Sequence, residues 1–496
     1  MTMAGVAKFD RRQMVTLLVL CAAPFLGVVD TTIVTIALPS MSTALGLSAT
    51  DAQWVLNGYA LVYGGLLLLL GRMGDLWGRR RLFLLGLVLF AAASMLGGFA
   101  PVPWVLIVAR VAQGVGAAAF TPAALSLVAT VFAEGGARNR ALGIWGAMAA
   151  VGFVVGMVLG GVITELLGWR WIFYLNVPIA AAVLLIAPAT LPESRSREVV
   201  RSLDVAGAVA VTLAIGATIY AVSGIPEYGW SGRTLGIGLF GVGAAVGFVL
   251  IERRAPAPLV PLPLLRARRM AAPNGLKILI STIGTAWLYV LTFYFQDVRS
   301  LSPLPTGLLF LPMTIASIVG AWAGGRLVTA VGGKVVVLVG TALIGGGLLL
   351  MSTLPVTGQL AGVVAGMVVG ELGFMMAIVP LAIAITAAAH ADQRGLAAGL
   401  LGTSDQLGNA LGLSITVSVA AVVTARLPQG VPTLADYLAG LRAGLWVSIV
   451  VAALTWVVAL VALRREDFRS TAEHAEHVEH PGEAGTEVAS APQTAD

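Results

Sequence analysis

Four ionisable residues, Asp30, Arg110, Glu371 and Asp405, stand inside long runs of apolar residues. An unpaired charge at the depth of a bilayer costs at least about 2.5–3.5 kcal/mol. Such a residue therefore needs a counter-ion, a proton or a bound ion. A carboxylate in this setting can hold either a proton or a cation, and a guanidinium can compete with both. The chemistry to expect is exchange of protons and charged or polar small molecules. For Asp30 two readings stand side by side: a structural ion pair, and a proton and substrate site. Glu371 carries the same two readings. Asp405 is counted with the proton-coupling group, and its role is left open.

The elements that must position these groups are membrane-spanning helices. The chain has 496 residues, of which 58% are hydrophobic and 11% charged. Soluble domains carry about 25% charged residues. The apolar runs have the length of a bilayer crossing, about 20 residues. Fourteen spans centre in 14–39, 52–70, 82–100, 103–132, 140–164, 170–190, 204–222, 233–250, 273–297, 304–328, 334–353, 357–388, 395–423 and 440–463. Asp30 lies about 16 residues into span one, roughly 24 Å at 1.5 Å per residue, while Arg110 lies about seven residues, roughly 10 Å, into the oppositely directed span four. The two depths add up to one crossing, so the two groups are expected to face each other. By the same rise Asp405 lies about 15 Å into span thirteen.

Lys and Arg mark every second loop: Lys8, Arg11 and Arg12; Arg79 to Arg81; Arg138 and Arg140; Arg195, Arg197 and Arg201; Arg253, Arg254, Arg266, Arg268 and Arg269; Arg464 and Arg465. Basic loops stay on the cytoplasmic side, so both termini are expected there. The net charge of +6 is topology rather than a nucleic-acid surface. The single cysteine, Cys21, can form no internal disulfide and reads as a packing residue. The tail after Arg465 is polar and is expected to be disordered, with His474, His477 and His480 solvated rather than holding a metal. No phosphate loop and no metalloprotease motif occurs, so the reading includes no ATP, no metal and no cofactor.

The stretch Gly71 to Arg80 aligns with Gly325 to Lys334, and each joins the second and third spans of its half. The expected organisation is a cytoplasmic N-terminus 1–13, a six-helix bundle 14–190, two extra helices with basic linkers 191–272, a second six-helix bundle 273–463, and a cytoplasmic tail 464–496. Repeated halves with a midplane site between them are a transporter pattern.

Several short motifs occur in order: Asp30-Thr31-Thr32 through Pro39 in span one, Gly71 to Arg81 in the loop after span two, Arg110-Val111-Ala112-Gln113-Gly114 in span four, Gly152 through Gly161 in span five, and Trp169 through Pro178 opening span six. Together they resemble the fourteen-span drug:proton antiporters of the major facilitator superfamily, over about residues 14 to 465. The resemblance implies an all-α integral membrane protein with the major facilitator fold, two six-helix bundles and two inserted helices. It implies proton-coupled efflux of lipophilic, cationic drugs or antibiotics across the cytoplasmic membrane, and no enzymatic activity. Proton coupling would fall to Asp30, Arg110, Glu371 and Asp405. Gating would fall to Gly71, Asp75, Gly78, Arg79 and Arg81, which in the family lock the bundles on the cytoplasmic side, and to Gly152, Gly156 and Gly160. The second loop copy has Thr329 in place of Asp75, so one half alone would carry the full lock. Met157 stands where the family has proline.

Substrate contacts are expected from Asp30 and Glu371, with Tyr59, Tyr63, Trp145, Trp287, Phe293 and Tyr294 as an apolar wall. The partners are a small-molecule drug or metabolite, protons and the lipid bilayer. One alternative is a narrow exporter of a single self-made antibiotic or metabolite. A membrane enzyme or receptor would need a catalytic constellation or a large soluble domain, and the sequence offers neither.

Overall fold

Hydrogen-bonding side chains fix where the helices begin. Asp10 accepts from the Gln13 backbone N–H at 2.6 Å, and Gln13 accepts from the Asp10 N–H at 3.1 Å, a reciprocal cap that opens α1 (Arg11–Leu45). Ser48 and Asp51 do the same for α2 (Ala49–Trp77). The structure is a computed structural model that describes residues 9–132, 136–193, 204–256, 258–388, 394–425 and 433–468. Among the described residues there is no strand.

The chain continues as α3 (Arg79–Phe99), α4 (Pro103–Val131), α5 (Gly136–Leu166), α6 (Trp171–Thr190), α7 (Val205–Tyr228), α8 (Gly232–Arg254) and the short α9 (Leu262–Arg266). There follow α10 (Arg268–Phe293) with a π-helical turn at Tyr294–Val298, α11 (Pro303–Leu309), α12 (Leu311–Val331), α13 (Gly333–Met351), α14 (Ala361–Ala387), α15 (Arg394–Ala425) and α16 (Leu434–Ala462). Among the described residues fourteen helices, with α11 and α12 counted as one crossing, are long and apolar enough to span a membrane. The span expected at 304–328 is thus broken at Phe310. The turn expected at Ile225 to Gly229 remains helical to Tyr228 and ends at Gly229 with φ +58°.

Helices α1 to α6 pack as one group and α10 to α16 as another. The backbone repeats between them. Gly78 and Gly332 take φ of +114° and +85°, and each links two helices through one residue, a conformation that glycine adopts without strain. Eight residues on, Gly86 of α3 crosses α4 so closely that a Cβ would lie 2.8 Å from the Gly116 carbonyl oxygen. Gly340 of α13 crosses α14 in the same way, 2.7 Å from the Gly373 oxygen. Small residues let helices approach where lipid supplies no hydrophobic drive.

The two groups meet along two seams. On one, Asn57 of α2 donates to Ser414 Oγ of α15 at 2.8 Å, and Thr403 Oγ1 donates to the Gly64 carbonyl at 3.1 Å. Helix α7 packs behind this seam: Ser223 donates to Gln53 Oε1 at 2.9 Å, and Ser418 donates to the Val222 carbonyl at 3.0 Å. On the other seam, Glu165 of α5 accepts from Ser302 Oγ at 2.6 Å and from the Leu304 N–H at 2.9 Å. There a Cβ on Gly307 would meet the Met157 carbonyl at 2.5 Å. Gln296 adds a bond to the Ile36 carbonyl of α1 at 2.8 Å. These approaches of α5 all lie in its second half, whereas Gly143 and Gly146 in its first half face open space.

The tail is ordered further than its composition suggests. Arg465–Phe468 forms a 3-10 turn, and Asp467 is buried against Arg268 at 2.7 Å, while Arg268 also donates to the Ala462 carbonyl at 2.8 Å. The charge pair holds the first residues of the segment expected to be disordered. His474, His477 and His480 lie outside the described residues, as do Lys8, Arg195, Arg197 and Arg201.

Replacing Gly86 by valine should force α3 away from α4 and lower stability by about 1–3 kcal/mol, since overpacking shifts backbone. Gly243→Val in α8, where a Cβ meets nothing within 4 Å, should leave the melting temperature of the detergent-purified protein unchanged. Equal melting of the two variants would contradict the crossing.

Candidate functional site

Asp30 and Arg110 have no exposed surface. Arg110 Nη1 donates to Asp30 Oδ2 at 2.5 Å and to Gln113 Oε1 at 2.7 Å, and its Nε donates to the Val55 carbonyl at 2.9 Å. Gln113 Nε2 returns to Asp30 Oδ1 at 2.9 Å and to Ser94 Oγ at 2.8 Å. Asn176 Nδ2 donates to the same Asp30 oxygen at 2.8 Å. The network draws α1, α2, α3, α4 and α6 to one point. The remaining Arg110 nitrogen, Nη2, is buried without a hydrogen-bond partner, and the guanidinium lies 4.6 Å from the Tyr59 ring centroid. The ring face offers partial compensation for that orphaned donor. Tyr63 continues the stack, 5.7 Å from Tyr59. Gly114 makes the approach of α4 to α2 possible, since a Cβ there would lie 2.7 Å from the Tyr59 carbonyl. One residue along α1 from sealed Asp30, Thr31 is exposed, so accessible surface begins at the edge of the network.

The acids of the second group are arranged differently. Glu371 of α14 is 3% exposed and lies beside Ser317 of α12. Among the described residues no ion pair joins it to a cation. Asp405 of α15 pairs with Lys277 of α10, and its Oδ1 also accepts from Ser281 Oγ at 2.6 Å. Lys277 donates to Ser281 Oγ at 3.1 Å. The structure thus joins Asp30 to Arg110 on one side and leaves Glu371 and Asp405 on the other. Gln113, Asn176, Ser94 and Lys277 are the site residues that sequence reasoning missed. For Lys277 a signal existed: a lysine nine residues into an apolar helix, with Ser281 one turn on.

The profile of the Major Facilitator Superfamily matches residues 20–413. The chain belongs to the major facilitator superfamily. It is 38% identical over 408 residues to the puromycin resistance protein pur8 of Streptomyces alboniger, covering 81% of this chain and 80% of that one. It is 37% identical over 399 residues to the cephamycin export protein CmcT of Amycolatopsis lactamdurans, covering 79% and 82%. A crystal structure of a D-xylose-proton symporter superposes with a TM-score of 0.63 at 15% identity, covering 92% of this chain and 99% of the other, which is a likeness of fold. The protein is a multi-pass membrane transporter of this superfamily.

In the loop after α2, Asp75 and Arg79 find their partners close by. Arg79 Nη2 pairs with Asp75 at 2.8 Å and its Nη1 donates to Thr130 Oγ1 at 2.8 Å, so both residues bond within the first helix group. Arg81 is largely exposed and sits 3.6 Å from Glu193. Gly71 packs on Pro122 of α4. Helix α5 leaves the second group over its first half, where Gly143 and Gly146 face open space, whereas on the opposite seam Leu67 and Leu68 of α2 still meet α15 at Gly402 and Gly399. Gly152, Gly156 and Gly160 face α1, where Cβ atoms on Gly152 and Gly160 would meet the Phe25 carbonyl at 3.0 Å and Ile33 at 3.2 Å.

The aromatic wall is also only partly where it was expected. Trp287 is 2% exposed, with its ring 6.2 Å from Phe374, between α10 and α14. Tyr294 is fully buried and donates to the Pro355 carbonyl at 2.6 Å, and Phe293 is 7% exposed and stacks on Tyr289. These three rings lie in the closed, packed end, not on an open wall. Trp145 is half-buried in the first helix group, with its indole nitrogen buried and unpaired. Asp30, sealed as it is, offers no surface to a cargo in this conformation.

Arg110→Ala should strand the Asp30 charge and cost about 3–5 kcal/mol, because breaking a buried pair leaves one ion uncompensated. The double variant Asp30→Asn/Arg110→Gln should regain most of that loss in a detergent melting curve. A double variant no more stable than Arg110→Ala would show that the pair does not govern stability.

Proposed function

We propose that this transporter exports lipophilic, cationic drugs or antibiotics from the cytoplasm in exchange for protons, by alternating access of its two six-helix bundles. One observation carries the reading: a sealed carboxylate–guanidinium network that begins one residue from exposed Thr31. A proton reaching Asp30 removes the charge that Arg110, Gln113 and Asn176 converge on. Their bonds must then rearrange, and five helices are tied to them. Glu371, a carboxyl buried in the other bundle with no cation beside it, is the second proton or cargo position. The drive suffices: each charge is worth about 2.3 kcal/mol per 100 mV, and each pH unit about 1.4 kcal/mol.

Where the bundles touch and where the basic residues gather support an inward-facing conformation. The Glu165, Met157 and Gln296 contacts close one end. The opposite end, carrying Arg11, Arg12, Arg79 to Arg81 and Arg268, is the one where the first half of α5 leaves the second group and Asp75 and Arg79 bond within the first. Basic residues gather on the cytoplasmic face. On this reading both termini are cytoplasmic, the host bilayer is the cytoplasmic membrane, and the conformation faces inward. The relatives named for puromycin resistance and cephamycin export support an exporter. Because each name carries a single antibiotic, a narrow exporter of one antibiotic or metabolite is the second reading.

Ethidium efflux from loaded cells tests the proposal. Cells carrying the protein should lose the dye faster than controls, and a protonophore should abolish the difference. Asp30→Asn should abolish proton-coupled efflux while the protein still inserts. Coupled efflux retained in that variant would remove Asp30 from the mechanism. No efflux above control, with the protein in the membrane, would favour the narrow exporter.

A further inference from the structure

Helix α15 turns three of its sides to neighbours. Ser404 donates to Asn274 of α10 at 3.0 Å, and a Cβ on Gly408 would meet Ser281 of α10 at 2.7 Å. Gln406 abuts Gly64 and Gly402 abuts Leu67, both of α2. Behind, α7 lies against Thr403 and Leu407 through Ile215. The side left over carries Asp405 and, one turn on, Asn409. It lies between α2 and α10, which belong to opposite bundles, and so turns to the space that separates them. Asp405 is within electrostatic range of half-buried Tyr63 on the α2 side of that space.

The two members of the Lys277–Asp405 pair are unequally covered. The lysine side chain is 6% exposed and the aspartate 35%. Asp405 spends one oxygen, Oδ1, on both Lys277 and Ser281. Its other oxygen carries no bond in the described structure and belongs to the exposed part of the residue. A carboxylate held at one oxygen by an ammonium and a hydroxyl has its plane fixed, with the second oxygen presented to whatever enters. This is the opposite of Asp30, which is saturated and sealed.

We propose that Asp405 is the carboxylate that receives the cationic centre of the cargo, through Oδ2, and that Lys277 and Ser281 are positioning residues that aim it. The inference rests on the export of lipophilic cations proposed above and assigns that cargo a contact. A charge-assisted hydrogen bond or ion contact to a preset oxygen distinguishes a cationic from an uncharged lipophilic molecule, because both fill the same apolar space and only one finds a partner. The pair thereby sets specificity in the second bundle, while the proton-linked network occupies the first.

The test uses the full chain purified in detergent micelles, with ethidium binding read by fluorescence polarisation and binding of uncharged Nile red read by fluorescence enhancement. Asp405→Asn should lower the ratio of ethidium to Nile red affinity by about tenfold, equivalent to about 1.4 kcal/mol. Lys277→Met should lower the ratio as well, and Lys277→Arg should restore most of it, with Nile red affinity unchanged in both, whereas loss of a pair that only holds the fold would weaken both probes alike. An unchanged ratio in Asp405→Asn overturns the assignment, and so does a Lys277→Arg variant that behaves like Lys277→Met. Should Asp405→Asn fail to fold, carbodiimide labelling of the unaltered chain decides: ethidium should slow modification of Asp405, read by mass spectrometry, and Nile red should not. Labelling indifferent to ethidium overturns the proposal. Binding with the expected ratio, but without protonophore-sensitive efflux in cells, upholds this contact and sinks the proton-driven reading alone. A chain that binds neither probe overturns both.

Discussion

A charged pair withdrawn wholly from solvent must be satisfied on every side, and in this transporter that demand organises the first bundle. The cost of removing an ion from water is several kcal/mol even after relaxation. Asp30 and Arg110 meet most of it with donors and acceptors from Val55, Gln113 and Asn176 on three helices, and Ser94 of α3 accepts from Gln113 behind them. Each partner must arrive at the right depth. Gly114 brings α4 against α2, Gly86 and Gly116 bring α3 against α4, and Gly152, Gly156 and Gly160 bring α5 against α1. The small residues of the bundle are thus the geometric condition for the charge cluster. The cluster in turn fixes how the helices are rotated about their axes, a property that uniform apolar surfaces leave undetermined.

How much of this could be read in advance depends on the kind of information each residue carries. Asp30 and Arg110 were matched from helical rise beside a motif resemblance, because charge inside an apolar run is conspicuous and depth is a matter of counting. The fourteen crossings were legible for the same reason, including α7 and α8. Gln113 and Asn176 were not legible as partners, since an uncharged amide in a span gives no sign of which helix it faces. Lys277 was hidden differently. It sits near the basic end of its helix, and its partner lies 128 residues away in the chain. The loop residues Asp75 and Arg79, and the rings of Trp287 and Tyr294, failed for a third reason: their neighbours depend on which end of the molecule is closed, and one sequence encodes every conformation of the cycle.

The repeat separates what is architectural from what is chemical. The link glycines Gly78 and Gly332 and the crossing glycines Gly86 and Gly340 recur at the same interval of 254 residues, 332 less 78 and 340 less 86. The charges do not. In the register set by those crossings, 373 less 116, the α14 position that answers to Arg110 is Met367 and Glu371 answers to Gly114, and the second bundle's ion pair joins α10 to α15 instead. A duplicated scaffold therefore supports two different electrostatic sites: one closed and coupled to many helices, the other partly open and coupled to two. That division suits a molecule which must hold a proton and a cargo in separate places.

The inserted helices enter this picture through the seams. Helix α7 bonds to α2 through Gln53 and to α15 through Ser418, so it straddles one junction between the bundles. The other junction has no such backing, and its closure at one end depends on Glu165 reaching Ser302 and the start of α11. If the bundles rock as proposed, the two junctions are not equivalent. A junction tied on both sides to a third helix pivots more readily than it parts, whereas one held by Glu165, by the Gln296 bond to α1 and by the close approach of Gly307 to Met157 opens at the expense of three hydrogen bonds and that packing. The asymmetry makes the α2–α15 side the hinge and the α5–α11 side the mouth. It also gives the extra pair a mechanical part that requires no contact with cargo.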